Sequence, residues 1–175
     1  MTKIDLFDVF TSLGKKITEK VDFNKSDFEY YGVSYDVLSI SKIDLEFENL
    51  EVGKVRAKGK FDINLNIPCD RCLTDVNVNL HCDSELEVLY KDDKATDEND
   101  EEVSYLHGHE FIIDEFVNVC VLMNMPSKVL CHDDCKGLCP VCGGNLNETD
   151  CGCDSFVPDP RMARFADIFN GYKEV

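Results

Sequence analysis

Six cysteines lie between Cys131 and Cys153, where the chain reads CHDDCKGLCPVCGG and, after a short polar stretch, CGC. Clustered thiolates favour zinc, which takes four soft or borderline ligands in a tetrahedron with zinc to sulfur distances of about 2.3 Å. The CPVCG stretch is typical of a metal-binding turn, and the cysteines of CGC point to the same side of an extended chain. The preferred ligands of a structural zinc ion are Cys139, Cys142, Cys151 and Cys153.

The remaining cysteines of this window leave the ligand set open. Cys131 and Cys135 are spaced i, i+4, so on a helical turn they share a face, and either of them is an alternate for Cys151 or Cys153. Six thiolates could also share two zinc ions through bridging, although one four-coordinate site is the commoner solution. A site with four thiolates has no open position for water, so it does not predict zinc-dependent hydrolysis.

A second pair of cysteines occurs in Cys69-Asp70-Arg71-Cys72. This pair could form part of a second cysteine site that binds metal, could sense redox state, or could shape a turn. Redox pairs of this spacing sit at a helix N-terminus that lowers a thiol pKa, and no helical pattern follows Cys72. Cys82 and Cys120 are interpreted as buried structural thiols, with Cys82 a candidate to join the pair if the strands bring it close.

The residues between these cysteines predict the elements that position them. Apolar and polar residues alternate in four runs that indicate half-buried strands: 43–47, 61–67, 76–80 and 86–90. The fold class is therefore α+β, an antiparallel β meander whose barrel-like closure is left open. A stripe that includes Phe116 and Cys120 predicts a helix that Asp114 could cap, and Pro126 ends it.

The predicted organisation has three parts. Residues 1–130 form a mainly antiparallel β domain with an acidic loop at 91–102 and a helix near 114–124. Residues 131–155 form the cysteine-rich zinc module, and residues 156–175 form a C-terminal helix that packs on the main domain.

The formal net charge of -17 limits the partners that the chain can attract. An average surface of this sign repels phosphates, so direct nucleic-acid binding needs a local basic patch, whereas basic proteins are attracted. The first ten residues lack a basic region followed by an apolar stretch, and no run of apolar residues is long enough to span a bilayer. We therefore expect a cytoplasmic protein, in which clustered thiols bind metal more often than they form disulfides.

Three motifs together resemble the YceD-like large ribosomal RNA accumulation proteins. They are CDRCL at 69–73, CKGLCPVCGGNLN at 135–147 with the following CGC, and DPRMARFADIF at 159–169. The resemblance implies a non-catalytic factor that supports the accumulation or processing of large-subunit ribosomal RNA, so no catalytic residue is expected.

The resemblance also implies a binding surface for large-subunit ribosomal RNA or for a basic large-subunit ribosomal protein. Direct RNA or partner contact would use basic residues such as Arg71, Lys136, Arg161 and Arg164. The acidic surface favours protein docking over RNA contact. The alternative function is a thiol redox protein that uses Cys69 and Cys72.

Overall fold

The computed structural model describes residues 2–30, 32–91, 94–99 and 101–153. It divides the chain into two compact units. Of the described residues, the first unit comprises those from Thr2 to Ile67 and from Asp75 to Val129, and the second comprises Pro68–Thr74 together with those from Leu130 to Cys153. The short segment at 68–74, assigned to the β domain from the sequence, is thus grouped with the cysteine-rich segment.

The described residues form ten strands and two helices. The strands are β1 (Lys3–Asp5), β2 (Lys16–Val21), β3 (Asp27–Tyr30), β4 (Val33–Ile40), β5 (Ile43–Glu51), β6 (Lys54–Pro68), β7 (Asp75–Lys91), β8 (Lys94–Thr96), β9 (Leu106–His107) and β10 (Glu110–Ile112). The helices are α1 (Phe7–Thr11) and α2 (Ile113–Asn124). No helix among the described residues combines the length and apolar character needed to cross a membrane.

The strands of the first unit form two open antiparallel sheets. The larger sheet has the order β2-β5-β6-β4-β3, with β7 paired to β6 and β8 paired to β7. The smaller sheet has the order β1-β10-β9. The antiparallel prediction is confirmed, whereas the barrel-like closure that the sequence left open is not found, because both described sheets have free edge strands.

Buried and more exposed side chains alternate along the long strands, so that one face of the sheet covers a core. In β6 every second residue from Val55 to Ile67 is buried, and the intervening side chains are half-buried or exposed. The buried side includes Phe47, Phe61 and Leu65, each at most 2% exposed. Apolar side chains of this size stabilise a fold by roughly 1.5–3 kcal/mol each when fully buried.

Helix α2 packs onto the buried face of the sheet at a position where β6 has no side chain. A Cβ atom on Gly59 would lie 2.2 Å from Cζ of Phe116, so the absence of a side chain at Gly59 leaves room for the ring. Phe116 also makes edge contacts with Tyr105 and Phe61. The helix predicted near 114–124 is therefore present, and Phe116 and Cys120 of its predicted stripe are core, whereas Met123, which the same stripe included, is 79% exposed.

Three details differ from the sequence-based expectation. The runs at 76–80 and 86–90 belong to one strand, β7, because its half-buried face continues through the polar residues between them. Within the predicted acidic loop at 91–102, Lys94–Thr96 forms β8 and buries Ala95. Asp114 lies in the first turn of α2 and does not cap it, since the N-cap is Ile112. The predicted C-terminal helix at 156–175 lies outside the described residues.

Candidate metal centre

The second unit contains two groups of four cysteines whose sulfur atoms converge. We call Cys69, Cys72, Cys131 and Cys135 the first cluster, and Cys139, Cys142, Cys151 and Cys153 the second cluster. Within each cluster the four Sγ atoms all lie within 4.8 Å of one another. In the first cluster, Sγ of Cys69 is 3.8 Å from Sγ of Cys135, and Sγ of Cys72 is 3.5 Å from Sγ of Cys131. Each cluster could therefore hold one metal ion.

A tight backbone turn builds one half of the first cluster. In this first cysteine turn, residues 69–74, the N–H of Cys69 donates to the carbonyl of Thr74 at 2.8 Å. The N–H of Leu73 donates to the carbonyl of Cys69 at 2.9 Å. Leu73 reaches this geometry with a φ of 60°, in the left-handed region. The turn brings the two thiols of the pair to the same side.

The second cysteine turn, residues 139–144, repeats this hydrogen-bond pattern. The N–H of Cys139 donates to the carbonyl of Gly144 at 2.8 Å, and the N–H of Gly143 donates to the carbonyl of Cys139 at 2.8 Å. Gly143 has a φ of 73°. Glycine adopts this conformation without the steric cost that a Cβ atom adds. The CxxC spacing therefore produces the same turn twice in one unit.

Two hydrogen bonds join segment 68–74 to segment 130–153. The guanidinium of Arg71 donates to the carbonyl of Cys135 at 2.8 Å, and the N–H of Leu138 donates to the carbonyl of Arg71 at 3.0 Å. Gly137, with a φ of 80°, allows the close approach, since a Cβ atom there would lie 3.1 Å from the carbonyl oxygen of Arg71. These contacts bring the pair of Cys69 and Cys72 close to Cys131 and Cys135, which come much later in the sequence.

Polar groups surround the sulfur atoms of the first cluster. The side-chain amide of Asn147 donates to Sγ of Cys135 at 3.3 Å. Oγ1 of Thr74 lies 3.3 Å from Sγ of Cys72, and Nδ1 of His132 lies 3.1 Å from Sγ of Cys131. The amide of Asn147, which donates to sulfur, favours thiolate over thiol at Cys135, and thiolate is the form that a metal binds.

The thiol pKa values within each cluster move in opposite directions. Burial opposes ionisation of Cys69, yet the backbone amides of Arg71 and Cys72 donate to its sulfur and lower its pKa to about 6. Burial, followed by contacts with neighbouring cysteine thiols, raises the pKa of Cys131 to about 12.

The second cluster follows the same pattern. Backbone amides of Cys142 and Val141 lower the pKa of Cys139 to about 6, whereas contacts with Cys151 and Cys142 raise the pKa of Cys153 to about 12. Four adjacent thiolates repel one another, and a divalent cation removes that conflict.

The sequence predicted one preferred set of four cysteine ligands with two alternates. The structure places the predicted cysteines in two groups of four. The four preferred ligands converge as the second cluster, and the alternates Cys131 and Cys135 join Cys69 and Cys72 instead. The sequence contained a signal that Cys69 and Cys72 need a second pair, since a metal-binding turn supplies two of the four ligands of a tetrahedron, but it did not say which pair. Which thiolates bind metal stays a prediction.

The other cysteines lie in the core of the first unit. Cys82 and Cys120 are at most 2% exposed and belong to its hydrophobic core. Burial raises the pKa of Cys82 to about 11 and that of Cys120 to about 12. Cys82 belongs to neither cysteine group of the described residues, which agrees with its interpretation as a structural thiol.

The basic residues predicted for RNA or partner contact are partly described. The exposed side chain of Arg71 donates to a backbone carbonyl, and Lys136 is exposed. Arg161 and Arg164 lie outside the described residues. The redox alternative is not favoured, because Cys69 and Cys72 lie in a turn within a four-thiol group and no helix begins there.

Comparison with known proteins gives the family. The family model described as large ribosomal RNA subunit accumulation protein YceD matches residues 57–169, a range that includes both clusters. The chain belongs to this family. This membership confirms the resemblance drawn from the motifs.

Individual curated relatives resemble this chain at low sequence identity. Uncharacterized proteins of Mycobacterium bovis and Mycobacterium tuberculosis are each 28% identical over 138 residues, covering 78% of this chain. The chain spans 65% of the length of these relatives. No solved structure matches the chain.

Proposed function

We propose that this protein is a non-catalytic cytoplasmic factor that supports accumulation of large-subunit ribosomal RNA by docking onto a basic large-subunit ribosomal protein. The observation that carries this proposal is the match to the YceD family over residues 57–169. The match includes all eight clustered cysteines, so the proposed zinc module belongs to the matched region.

A structural role for the metal supports the proposal that the protein is a non-catalytic factor. Four cysteine ligands complete a tetrahedral zinc site and leave no position for a water or substrate. We assign zinc to the second cluster, because soft thiolates in this number and spacing select it over oxygen-preferring ions. The ion would stabilise the fold of the module and would not take part in a reaction.

Neutralised basic side chains argue against phosphate as the main ligand of the first unit. Every lysine and arginine on the exposed face of β2 and β6 has a carboxylate partner: Lys16, Lys20, Lys54, Arg56, Lys58 and Lys60. The partner carboxylates lie on β5 and β7. Exposed ion pairs of this kind contribute little to stability, but they remove the positive charge that a phosphate backbone would need.

Uncompensated acidic groups support docking of a basic protein. Asp27 on β3 pairs directly with Asp36 on β4, so two carboxylates face each other across the edge of the larger sheet. Among the described residues neither forms an ion pair with a basic side chain. Like charges in this position destabilise a hairpin. A cationic surface that binds there would relieve the repulsion, which gives such a partner an electrostatic advantage.

Crosslinking in cells tests the proposal. The tagged full chain is crosslinked, and the RNA and the proteins recovered from the same sample are identified. We expect large-subunit ribosomal proteins of high basicity, and we expect depletion of this protein to lower the amount of large-subunit ribosomal RNA. Recovery of ribosomal RNA crosslinked at Arg71, Lys136, Arg161 or Arg164 would replace protein docking with RNA binding.

Two matched variants locate the docking surface. Asp27→Asn combined with Asp36→Asn removes both uncompensated charges with little change in shape, and we expect recovery of the basic protein to fall severalfold. Asp83→Asn is the control, because Lys60 already neutralises its carboxylate at 2.7 Å. Equal recovery with both variants would reject this edge as the docking surface, and recovery of neither ribosomal protein nor RNA by the unaltered chain would reject the assembly role.

A further inference from the structure

We propose that the first cluster is a second zinc site, separate from that of the second cluster, so that each chain carries two zinc ions. The proposal assigns a complete ligand set to the Cys69 and Cys72 pair, which the sequence left incomplete. It does not depend on the role in ribosomal RNA accumulation.

The sulfur separations match a single tetrahedral ion. Zinc to sulfur bonds of about 2.3 Å place thiolates about 3.8 Å apart along the edges of a tetrahedron. The two separations in the first cluster are 3.8 Å and 3.5 Å. An iron–sulfur cluster binds its thiolates through different iron atoms and holds them farther apart than the 4.8 Å limit that the whole group satisfies. One mononuclear ion therefore fits the geometry.

The surroundings distinguish these thiols from cysteines that simply pack in a core. Cys69, Cys72 and Cys135 are at most 5% exposed, yet they are not members of the hydrophobic core that includes Cys82 and Cys120. Their sulfur atoms instead meet backbone amides, the hydroxyl of Thr74 and the amide of Asn147. Buried sulfur that accepts hydrogen bonds from amides, as Cys69 and Cys135 do, is typical of a thiolate that binds a metal.

A zinc ion in the first cluster would join two parts of the second unit that are far apart in the sequence. The two close sulfur pairs join residues 66 and 59 positions apart in the sequence. Residues 130–153 form no helix and no strand beyond the isolated bridge between Leu138 and Asn145. A segment with so little regular structure gains most of its folding free energy from metal binding, as small zinc modules do. The ion in the first cluster would therefore hold segment 68–74 onto segment 130–153.

Metal counting on the full chain tests the proposal. The protein is purified under reducing conditions, and zinc per chain is measured by native mass spectrometry and by elemental analysis. We expect two zinc ions for the unaltered chain, one for Cys72→Ser and one for Cys142→Ser. Cys82→Ala is the matched control, because it removes a cysteine outside both groups, and it should retain two. X-ray absorption of the unaltered chain should show sulfur neighbours alone.

The unaltered chain decides the outcome even if a variant fails to fold. One zinc per chain, iron in place of zinc, or a disulfide between cysteines of the first cluster would overturn the proposal. Two zinc ions retained by Cys72→Ser would also overturn it. The measurement uses no ribosomes, so failure of the metal count and failure of the assembly role are separate results.

Discussion

Leu73 occupies in the first cysteine turn the backbone position that Gly143 occupies in the second. Both residues donate their N–H to the carbonyl of the first cysteine of their turn, and their φ angles are 60° and 73°. Leu73 is the only residue other than glycine with a positive φ among those described. Its side chain is 64% exposed, so packing does little to offset the strain.

Leu73→Gly should stabilise the second unit. A left-handed conformation costs roughly 1–2 kcal/mol for a residue with a Cβ atom, and the greater freedom of glycine in the unfolded chain cancels roughly 0.5–1 kcal/mol of the gain. We expect a net gain of about 0.5–1 kcal/mol. Denaturant unfolding of the zinc-loaded protein, followed by a probe in the second unit, measures the change.

The reciprocal change is the control for this prediction. Gly143→Leu introduces the same strain into the second cysteine turn and should destabilise it by about 1–2 kcal/mol. A loss of stability on Leu73→Gly would show that the exposed leucine makes a stabilising contact that outweighs its strained backbone.

Arg71→Met should loosen the first cluster while leaving the cysteines unchanged. The substitution removes the bond from the guanidinium to the carbonyl of Cys135, at a cost of about 1 kcal/mol. That cost corresponds to about fivefold weaker binding of zinc by the proposed first site in competition with a chelator. Lys136→Met is the control, because it removes an exposed positive charge from segment 130–153, beside Cys135. Equal zinc affinities for both variants would contradict a structural role for Arg71.

Gly59→Ala should destabilise the first unit. The added methyl would lie 2.2 Å from Cζ of Phe116, and that ring is 3% exposed and packed against other aromatic rings. Displacing it should cost about 1–3 kcal/mol, the usual range for overpacking a core. Thermal and denaturant unfolding measure the change. Lys58→Ala on the opposite face of β6 should have a much smaller effect, and similar effects for both would contradict the close packing.

The pair of His107 and Glu115 should make a small contribution to stability that depends on pH. The carboxylate of Glu115, 2.9 Å from Nε2 of His107, raises the pKa of the imidazole above its ordinary value of 6.5. A raised pKa in the folded state means that the contribution is fully present below the unfolded value and is lost as pH rises through the folded value.

Titration of His107 by nuclear magnetic resonance checks the direction of this shift. Glu115→Gln should bring the pKa of His107 back toward 6.5. An unchanged pKa of His107 in the variant would assign the shift to the carbonyl of Ser104 instead.

Local pattern was sufficient to predict the long strands, helix α2 and the turn at 139–144. Successive side chains of a strand point to opposite faces. Apolar and polar residues therefore alternate in β5, β6 and β7, because each of these strands buries one face. The helical stripe of α2 and the CPVCG turn are likewise properties of a few consecutive residues. These features depend on backbone geometry that neighbours in the sequence already impose.

The tertiary structure alone decided how the eight cysteines divide. Spacing placed Cys131 and Cys135 nearest to the second cluster, but a metal site is completed by whichever thiols the folded chain brings within a few ångströms. Segment 68–74 reaches Cys131 and Cys135 through long-range contacts, such as the bond from Leu138 to Arg71, that no local pattern encodes. Convergence of residues about sixty positions apart depends on packing of the whole unit, and it determined which set Cys69 and Cys72 joined.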